Sequence, residues 1–299
     1  TEVARVELRI VDSSGGSIAT CTVTEDAEVD VQLPDTGPWG EYRVEMLAFG
    51  ENGDELARND GMFQRPETPV WATQADDSMD RVLPPFTALE TQAGEDGSVQ
   101  VSCWGRTYTF VKSLLPTSVK SGDVADILVA PAQLRVGDDA VESSGLTVNR
   151  QSDVRDEFSA TAETDTYSLN ADFWVEYDGL IWYDVQLEAK KAIAGLTLEV
   201  ALRPDQARYT HYTASMMSLG GGHTAVIDKP FALKFWPVVW VGNYERGFCW
   251  FTEGSNDLAT AAKQPLRIVP DGDSVRLEVR LADALKAGEK ATMSFGLLA

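Results

Sequence analysis

Side chains suited to binding a polar, ring-shaped ligand are concentrated in the nineteen residues Phe235–Glu253, FWPVVWVGNYERGFCWFTE. Seven of them are aromatic, and aromatic faces can stack on the apolar faces of ligand rings, including sugars. Glu245 and Arg246 lie side by side in the middle, where they could pair with each other, bind a polar group or contact another domain. Trp240 and Trp250 flank these charges. The pattern leaves open whether each tryptophan fills the core or stacks on a ligand.

Two strands and a tight turn must position these side chains. Trp236–Val241 and Phe248–Thr252 are rich in β-branched and aromatic residues, which favours strands. Between them, Gly242–Gly247 contains two glycines and an asparagine, which can adopt the positive φ angles of a turn. The stretch therefore predicts a β-hairpin with a charged tip.

Adjacent carboxylates, which could act as a general acid and base, occur at Glu25-Asp26, Asp54-Glu55 and Asp156-Glu157. All three pairs fall in polar or turn-like stretches, so we expect solvated loop charges there and no catalytic pair. The three cysteines are widely spaced and odd in number, which favours free thiols, although one disulfide with a leftover thiol stays open. The sequence has no CxxC or HxxxH spacing that would predict a zinc site, and we expect neither a metal nor a cofactor.

The composition excludes several classes of partner. The formal net charge of −22 argues against binding to nucleic acid or to an anionic membrane, because both need clustered Lys and Arg. No apolar run approaches the ~18 residues that span a bilayer, so we expect no membrane insertion. The chain opens at Thr1 without a Met or a signal peptide, which is typical of a processed or trimmed start and leaves targeting undefined.

Period-two alternation broken by Gly, Asp, Asn or Pro runs along nearly the whole chain and predicts an all-β, antiparallel β-sandwich protein. Val3–Val11, Glu28–Leu33 and Glu41–Phe49 alternate in this way, so we expect a small immunoglobulin-like sandwich over residues 1–65. Residues 66–87 lose the periodicity and form an ordered linker. Residues 88–299 are predicted to form a larger sandwich or supersandwich.

Further landmarks follow one another in a fixed order: Val82-Leu83-Pro84-Pro85-Phe86, the Trp104-Gly105-Arg106 turn inside Val101–Phe110, Ile127–Pro131, Tyr177-Asp178-Gly179-Leu180, the pattern Trp240-x-Gly242-Asn243-x-Glu245-Arg246-Gly247, Cys249–Glu253 and Met293–Ala299. Over roughly residues 60–299 they resemble the amino-terminal β-sandwich region of glycoside hydrolase family 123, a family of exo-acting β-N-acetylgalactosaminidases. Phe86 stands where the family more often has Trp, and no Trp follows Glu253 as it does in the family.

The resemblance implies a function for a larger protein. Family enzymes hydrolyse terminal β-linked N-acetylgalactosamine with an adjacent Asp-Glu pair in a (β/α)₈ barrel that follows the sandwich. This sequence has no alternating strand–helix run, so we expect the barrel, and with it catalysis, to be absent from this chain. Its partners would then be the barrel and, through the parent enzyme, carbohydrate. The candidate residues for contacting the substrate or the barrel are Trp240, Asn243, Glu245, Arg246, Trp250, Glu253 and Arg106.

Three functions therefore stay open at the level of sequence. The first is the non-catalytic sandwich region of a glycoside hydrolase, packed on the barrel and shaping its active site. The second is a stand-alone carbohydrate-binding or cell-surface module, and the third is a structural or assembly protein. For the first function we expect an extracellular, periplasmic or cell-surface location.

Overall fold

The computed structural model describes residues 3–23, 33, 39–67, 69, 81–122, 125–213, 222–253 and 264–299. The chain divides into two compact units, Thr1–Asp76 and Asp77–Ala299. The predicted boundaries of a small domain, a linker and a large sandwich stay a prediction, because much of the segment between residues 66 and 87 lies outside the described residues.

The small unit contains one antiparallel sheet in its described part. Its strands are β1 (Arg5–Val11), β2 (Ser17–Val23), β3 (Gly40–Phe49) and β4 (Glu55–Arg65), in the order β2-β1-β3-β4. Tyr42 and Leu47 are buried, and the ring of Tyr42 stacks on Phe63 with centroids 5.3 Å apart. The predicted strand Glu28–Leu33 lies almost wholly outside the described residues, and the immunoglobulin-like character of this unit stays a prediction.

The large unit contains nineteen described strands. They are β5 (Glu90–Ala93), β6 (Ser98–Cys103), β7 (Arg106–Val111), β8 (Ser118–Ser121), β9 (Gln133–Val136), β10 (Asp139–Ala140), β11 (Thr147–Arg150), β12 (Arg155–Glu163), β13 (Tyr167–Glu176), β14 (Ile181–Ala189), β15 (Leu196–Leu202), β16 (Tyr209–Thr213), β17 (Gly222–Val226), β18 (Phe231–Leu233), β19 (Val238–Gly242), β20 (Gly247–Phe251), β21 (Leu266–Pro270), β22 (Val275–Ala282) and β23 (Lys290–Leu298).

The described strands of the large unit form three sheets. A nine-stranded sheet has the order β11-β12-β13-β14-β23-β20-β19-β16-β17. A six-stranded sheet has the order β10-β9-β15-β22-β21-β18, and a four-stranded sheet has the order β5-β6-β7-β8. Buried side chains from all three sheets belong to one hydrophobic cluster, so the prediction of an all-β antiparallel sandwich is confirmed.

Strict alternation of side chains explains how the nine-stranded sheet acquires two faces. Along β14 the odd-numbered residues Ile181–Ala189 are buried, whereas the even-numbered residues from Trp182 onward are partly or fully exposed. On the buried face, stacked aromatic rings run through the core. The ring centroids of Phe173 and Tyr183 are 4.9 Å apart, and those of Tyr183 and Phe295 are 5.1 Å apart. The even-numbered side chains of β14 therefore define an outer face of the sheet.

The Asp-Gly signal at residues 178–179 forms the predicted hairpin between β13 and β14. Gly179 has a φ of +90°, and the backbone N–H of Leu180 donates to Asp178 Oδ1 at 2.9 Å. No helix occurs among the described residues, and consequently none is long and apolar enough to cross a membrane.

Candidate functional site

The tip of the β19–β20 hairpin is held by the side chain of Asn243. Its Oδ1 accepts hydrogen bonds from the backbone N–H groups of Glu245 at 2.9 Å and Arg246 at 3.0 Å. Its Nδ2 donates to the carbonyl of Asp205 at 3.2 Å and to Gln206 Oε1 at 3.1 Å. The amide group thus makes four hydrogen bonds within the chain, so we expect Asn243 to order the tip rather than bind a ligand.

The two glycines of the tip are required for a reason other than the one expected from sequence. None of residues 242 to 247, all of which are described, has a positive φ, so that expectation is wrong. Gly242 and Gly247 lie opposite each other, and the indole of Trp240 covers both. A Cβ at either position would overlap the ring. The glycines therefore make room for Trp240 to lie flat across the end of the hairpin.

A cavity of about 340 Å³ opens beside this tip. Five of the seven sequence-predicted site residues line it: Arg106, Trp240, Asn243, Glu245 and Arg246. The structure therefore brings together residues that are up to 140 positions apart along the chain.

Arg246 lines this cavity and is held there by two hydrogen bonds within the chain. Its Nη1 donates to the carbonyl of Ser121 at 3.2 Å, and its Nη2 donates to Glu245 Oε2 at 3.3 Å. Its Nε is buried without an acceptor among the described residues. The side chain of Arg246 is 17% exposed, whereas that of Glu245 is 76% exposed. A buried guanidinium N–H without a partner is costly, so the two Nη hydrogen bonds and the cavity wall hold Arg246 against an unfavourable term.

Arg106 ties the cavity to two further segments. Its Nη1 donates to the carbonyl of Asp178 at 2.9 Å, and its Nε donates to the carbonyl of Ala299. The hydroxyl of the neighbouring Tyr108 donates to the carbonyl of Gly179 at 2.7 Å, and burial raises the pKa of Tyr108. Four of the sequence landmarks therefore meet at one end of the sandwich: the Trp-Gly-Arg turn, the Asp-Gly hairpin, the charged tip and the end of β23.

The remaining two predicted site residues lie elsewhere. Trp250 is fully buried between the sheets, so it has no surface with which to contact a ligand or another domain. Its indole Nε1 has no acceptor within the described part of the chain. Glu253 is exposed just beyond β20 and does not line the cavity. Its contact role stays a prediction.

Sequence reasoning missed one residue of this region, Tyr244. It is 87% exposed at the tip, and its ring contacts that of Tyr209 with centroids 4.9 Å apart. The hydroxyl of Tyr209 donates to that of Tyr244 at 3.0 Å, which raises the pKa of Tyr209. An aromatic residue inside an otherwise polar turn was the signal for it.

Neither of the two adjacent carboxylate pairs that the structure describes forms an acid–base pair. Asp156 is buried on β12, where it accepts hydrogen bonds from Thr91 Oγ1 at 2.5 Å and from the Ser152 N–H at 2.9 Å. The expectation of a solvated loop charge was therefore wrong for Asp156, which has a structural role. Asp54-Glu55 is exposed, and Glu25-Asp26 lies outside the described residues.

Other chemistry is sparse in the part of the chain that the structure describes. No group of three or more His, Cys, Asp or Glu side chains there could hold a metal ion. Cys21, Cys103 and Cys249 are free, as expected, and Cys103 is buried.

Comparison with known proteins identifies one family. A sequence model of a protein family, described as "Glycoside hydrolase 123, third domain", matches residues 95–259. No curated protein sequence matches the chain.

Comparison with solved structures gives only distant matches. Galactose 1-epimerase from Lactobacillus acidophilus NCFM is 9% identical, covers 71% of this chain and 97% of its own, and has a TM-score of 0.42. A copper-containing benzylamine oxidase from Hansenula polymorpha is 8% identical, covers 96% of this chain and 84% of its own, and has a TM-score of 0.41. These similarities are too distant to carry a functional argument.

Proposed function

Because the chain belongs to the glycoside hydrolase 123 family, we propose that it docks a catalytic (β/α)₈ barrel through the hairpin-tip end of its large sandwich and shapes the active site there. The match over residues 95–259 confirms the resemblance to a family 123 sandwich region. Since the matched model describes a third domain, the amino-terminal place of this region stays a prediction. The match supports a non-catalytic domain related to glycoside hydrolases, and its role within a parent enzyme is the proposal.

One observation carries the proposal: a projecting aromatic ring and an arginine line the same cavity at the tip. Arg246 Nε lacks an acceptor among the described residues, and Tyr244 extends beside it into solvent. Aromatic and Arg side chains of this kind are typical anchors of interfaces between domains and proteins. A barrel with a pocket for Tyr244 would bury this exposed ring and cover the cavity that Arg246 lines.

The landmarks that define the family resemblance support the same end of the sandwich. Arg106 joins the Asp-Gly hairpin to the end of β23, and the resemblance places the barrel after that strand. A barrel in this position would lie beside Arg246 and Tyr244. Catalysis would rest on barrel residues, while this chain would hold the rim of the active site in place.

The substrate and location of the parent enzyme are part of the proposal. The resemblance supports terminal β-linked N-acetylgalactosamine as the substrate. It supports an extracellular, periplasmic or cell-surface location, where such glycans are encountered. The high negative charge of the chain is compatible with a neutral sugar.

The test uses the parent polypeptide with a chromogenic N-acetyl-β-galactosaminide. Tyr244→Ala and Arg246→Met should each lower kcat/KM about tenfold or more, because each removes a contact with the barrel. Val148→Ala is the matched control, since Val148 is an exposed residue on the edge strand β11. The isolated 299-residue chain should show no hydrolysis. Unchanged kcat/KM in both tip variants would overturn the proposal, as would a natural polypeptide whose mass equals these 299 residues.

A further inference from the structure

Three aromatic rings form a row across the outer face of the nine-stranded sheet. Trp174 pairs with Trp182 across β13 and β14, and their rings are nearly parallel with centroids 6.5 Å apart. Phe251 on β20 lies 5.9 Å from Trp182, centroid to centroid. All three side chains are partly exposed, and none of them lines the hairpin-tip cavity. We refer to Trp174, Trp182 and Phe251 as the aromatic stripe.

The stripe is continuous because β23 has a glycine in the middle of it. Gly296 pairs with Trp182 on one side and with Phe251 on the other. The ring of Phe251 lies directly over Gly296, where a Cβ would overlap it. Phe251 therefore crosses an entire strand to reach Trp182, an arrangement in which an aromatic ring covers a glycine of the neighbouring strand.

Neighbouring charges hold one end of the stripe in place. The guanidinium of Arg155 lies over the ring of Trp174, 4.2 Å from its centroid, and Arg155 also pairs with Glu176. Neither Trp174 nor Trp182 donates its indole N–H to an acceptor among the described residues. The rings are thus ordered, while their polar edges stay available.

The rows beside the stripe are polar. Asp172 pairs with Asp184 on the same outer face. Along each strand this pair lies two residues from the pair of tryptophans. The next outward pair is Asn170 with Gln186. All four side chains are exposed. Amide and carboxylate groups next to aromatic rings are suited to the hydroxyl groups and apolar faces of one and the same ligand.

We propose that the aromatic stripe and these polar rows bind a neutral oligosaccharide. Sugar rings would stack on Trp182 and Phe251, since Arg155 already covers a face of Trp174, and their hydroxyls would bond to Asp172, Asp184 and the two amides. Facing carboxylates and a net charge of −22 disfavour sulfated or uronic-acid glycans. A protein partner would have to desolvate the same carboxylates, which is costly without matched cations. This site is independent of the barrel, so it goes beyond the proposed function.

The test measures binding of neutral and sulfated oligosaccharides to the isolated chain by glycan array and calorimetry. We expect a neutral oligosaccharide to bind and to change the tryptophan fluorescence saturably. Trp182→Ala should weaken binding about tenfold or more, because it removes the central ring. Trp104→Ala is the matched control, since Trp104 is 46% exposed and lies outside the stripe. Its Kd should stay within about twofold of wild type.

Further variants and outcomes keep the proposal falsifiable. Trp174→Ala removes an end of the stripe and provides a second test if Trp182→Ala fails to fold. Binding restricted to sulfated glycans, binding that both variants retain, or no binding at about 1 mM ligand would each overturn the proposal. Self-association of the chain that Trp182→Ala abolishes, without glycan binding, would assign the stripe to a protein interface instead. None of these results depends on the activity of Tyr244 variants in the parent enzyme.

Discussion

Arg106 lies directly against Gly179, although Arg106 is on β7 and Gly179 lies in the turn between β13 and β14. A Cβ at position 179 would sit 2.9 Å from Arg106 Cδ, and Gly179 has a φ of +90°. The same guanidinium bonds to the carbonyl of Asp178. The Asp-Gly turn is therefore shaped both by its own backbone and by the arginine that links it to the cavity.

We predict that Gly179→Ala destabilises the chain more than Gly272→Ala. Both glycines have a φ of +90°, but a Cβ at Gly272 would meet nothing within 4 Å. Gly272→Ala should therefore cost only the left-handed backbone strain, about 1–2 kcal/mol. Gly179→Ala should cost about 1–3 kcal/mol more, because Arg106 must move. Urea denaturation of both variants measures the difference, and equal losses would contradict the contact.

The sequence was sufficient to predict the elements whose signal is local. The Asp-Gly turn at 178–179 and the alternation along β14 depend on neighbouring residues only, and both predictions are confirmed. Period-two patterns also predicted the all-β class. The hairpin around Gly242–Gly247 was located correctly, although the reason for its glycines was not.

Features that depend on register or on distant contacts could not be predicted. In Phe248–Phe251 all four residues are apolar, so alternation does not reveal that Trp250 points inward and Phe251 outward. The contact of Arg106 with Ala299 joins residues separated by 193 positions, and no local pattern encodes it. Family resemblance, rather than periodicity, selected Arg106 as a candidate.

Asn243 provides a second prediction about the tip. Asn243→Ala removes two bonds to the backbone of the turn and two to the segment around Gln206. We expect it to cost about 1–3 kcal/mol of unfolding free energy, since four hydrogen bonds are lost and the half-buried N–H of Arg246 is left without its acceptor. Gln206→Ala removes only one of these bonds and should cost less than about 1 kcal/mol. Similar losses in thermal or urea denaturation would show that Asn243 does not organise the tip.

Trp240 and Gly247 should be energetically coupled. Gly247→Ala forces the indole of Trp240 off the hairpin, so it should destabilise the wild-type chain. In a Trp240→Ala background the added methyl group has room, and the same change should cost much less. A double-mutant cycle should therefore give a coupling of about 0.5–3 kcal/mol. Additive effects of the two substitutions would contradict the packing of Trp240 on Gly247.

The thiol of Cys103 should make stability depend on alkaline pH. Burial raises the pKa of this thiol from its ordinary value of 9.0 to about 11 in the folded chain. In the unfolded chain the thiol loses its proton near pH 9, so the folded state binds more protons between pH 9 and 11. The stabilisation is therefore complete below pH 9 and is lost as the pH rises toward 11, with a slope of at most about 1.4 kcal/mol per pH unit.

Urea denaturation at pH 8, 9 and 10 should show a shallower decline in the free energy of unfolding for Cys103→Ala than for wild type. Cys103→Ala removes packing at every pH, so the slope is the informative quantity, and identical slopes would contradict the effect of burial on this thiol.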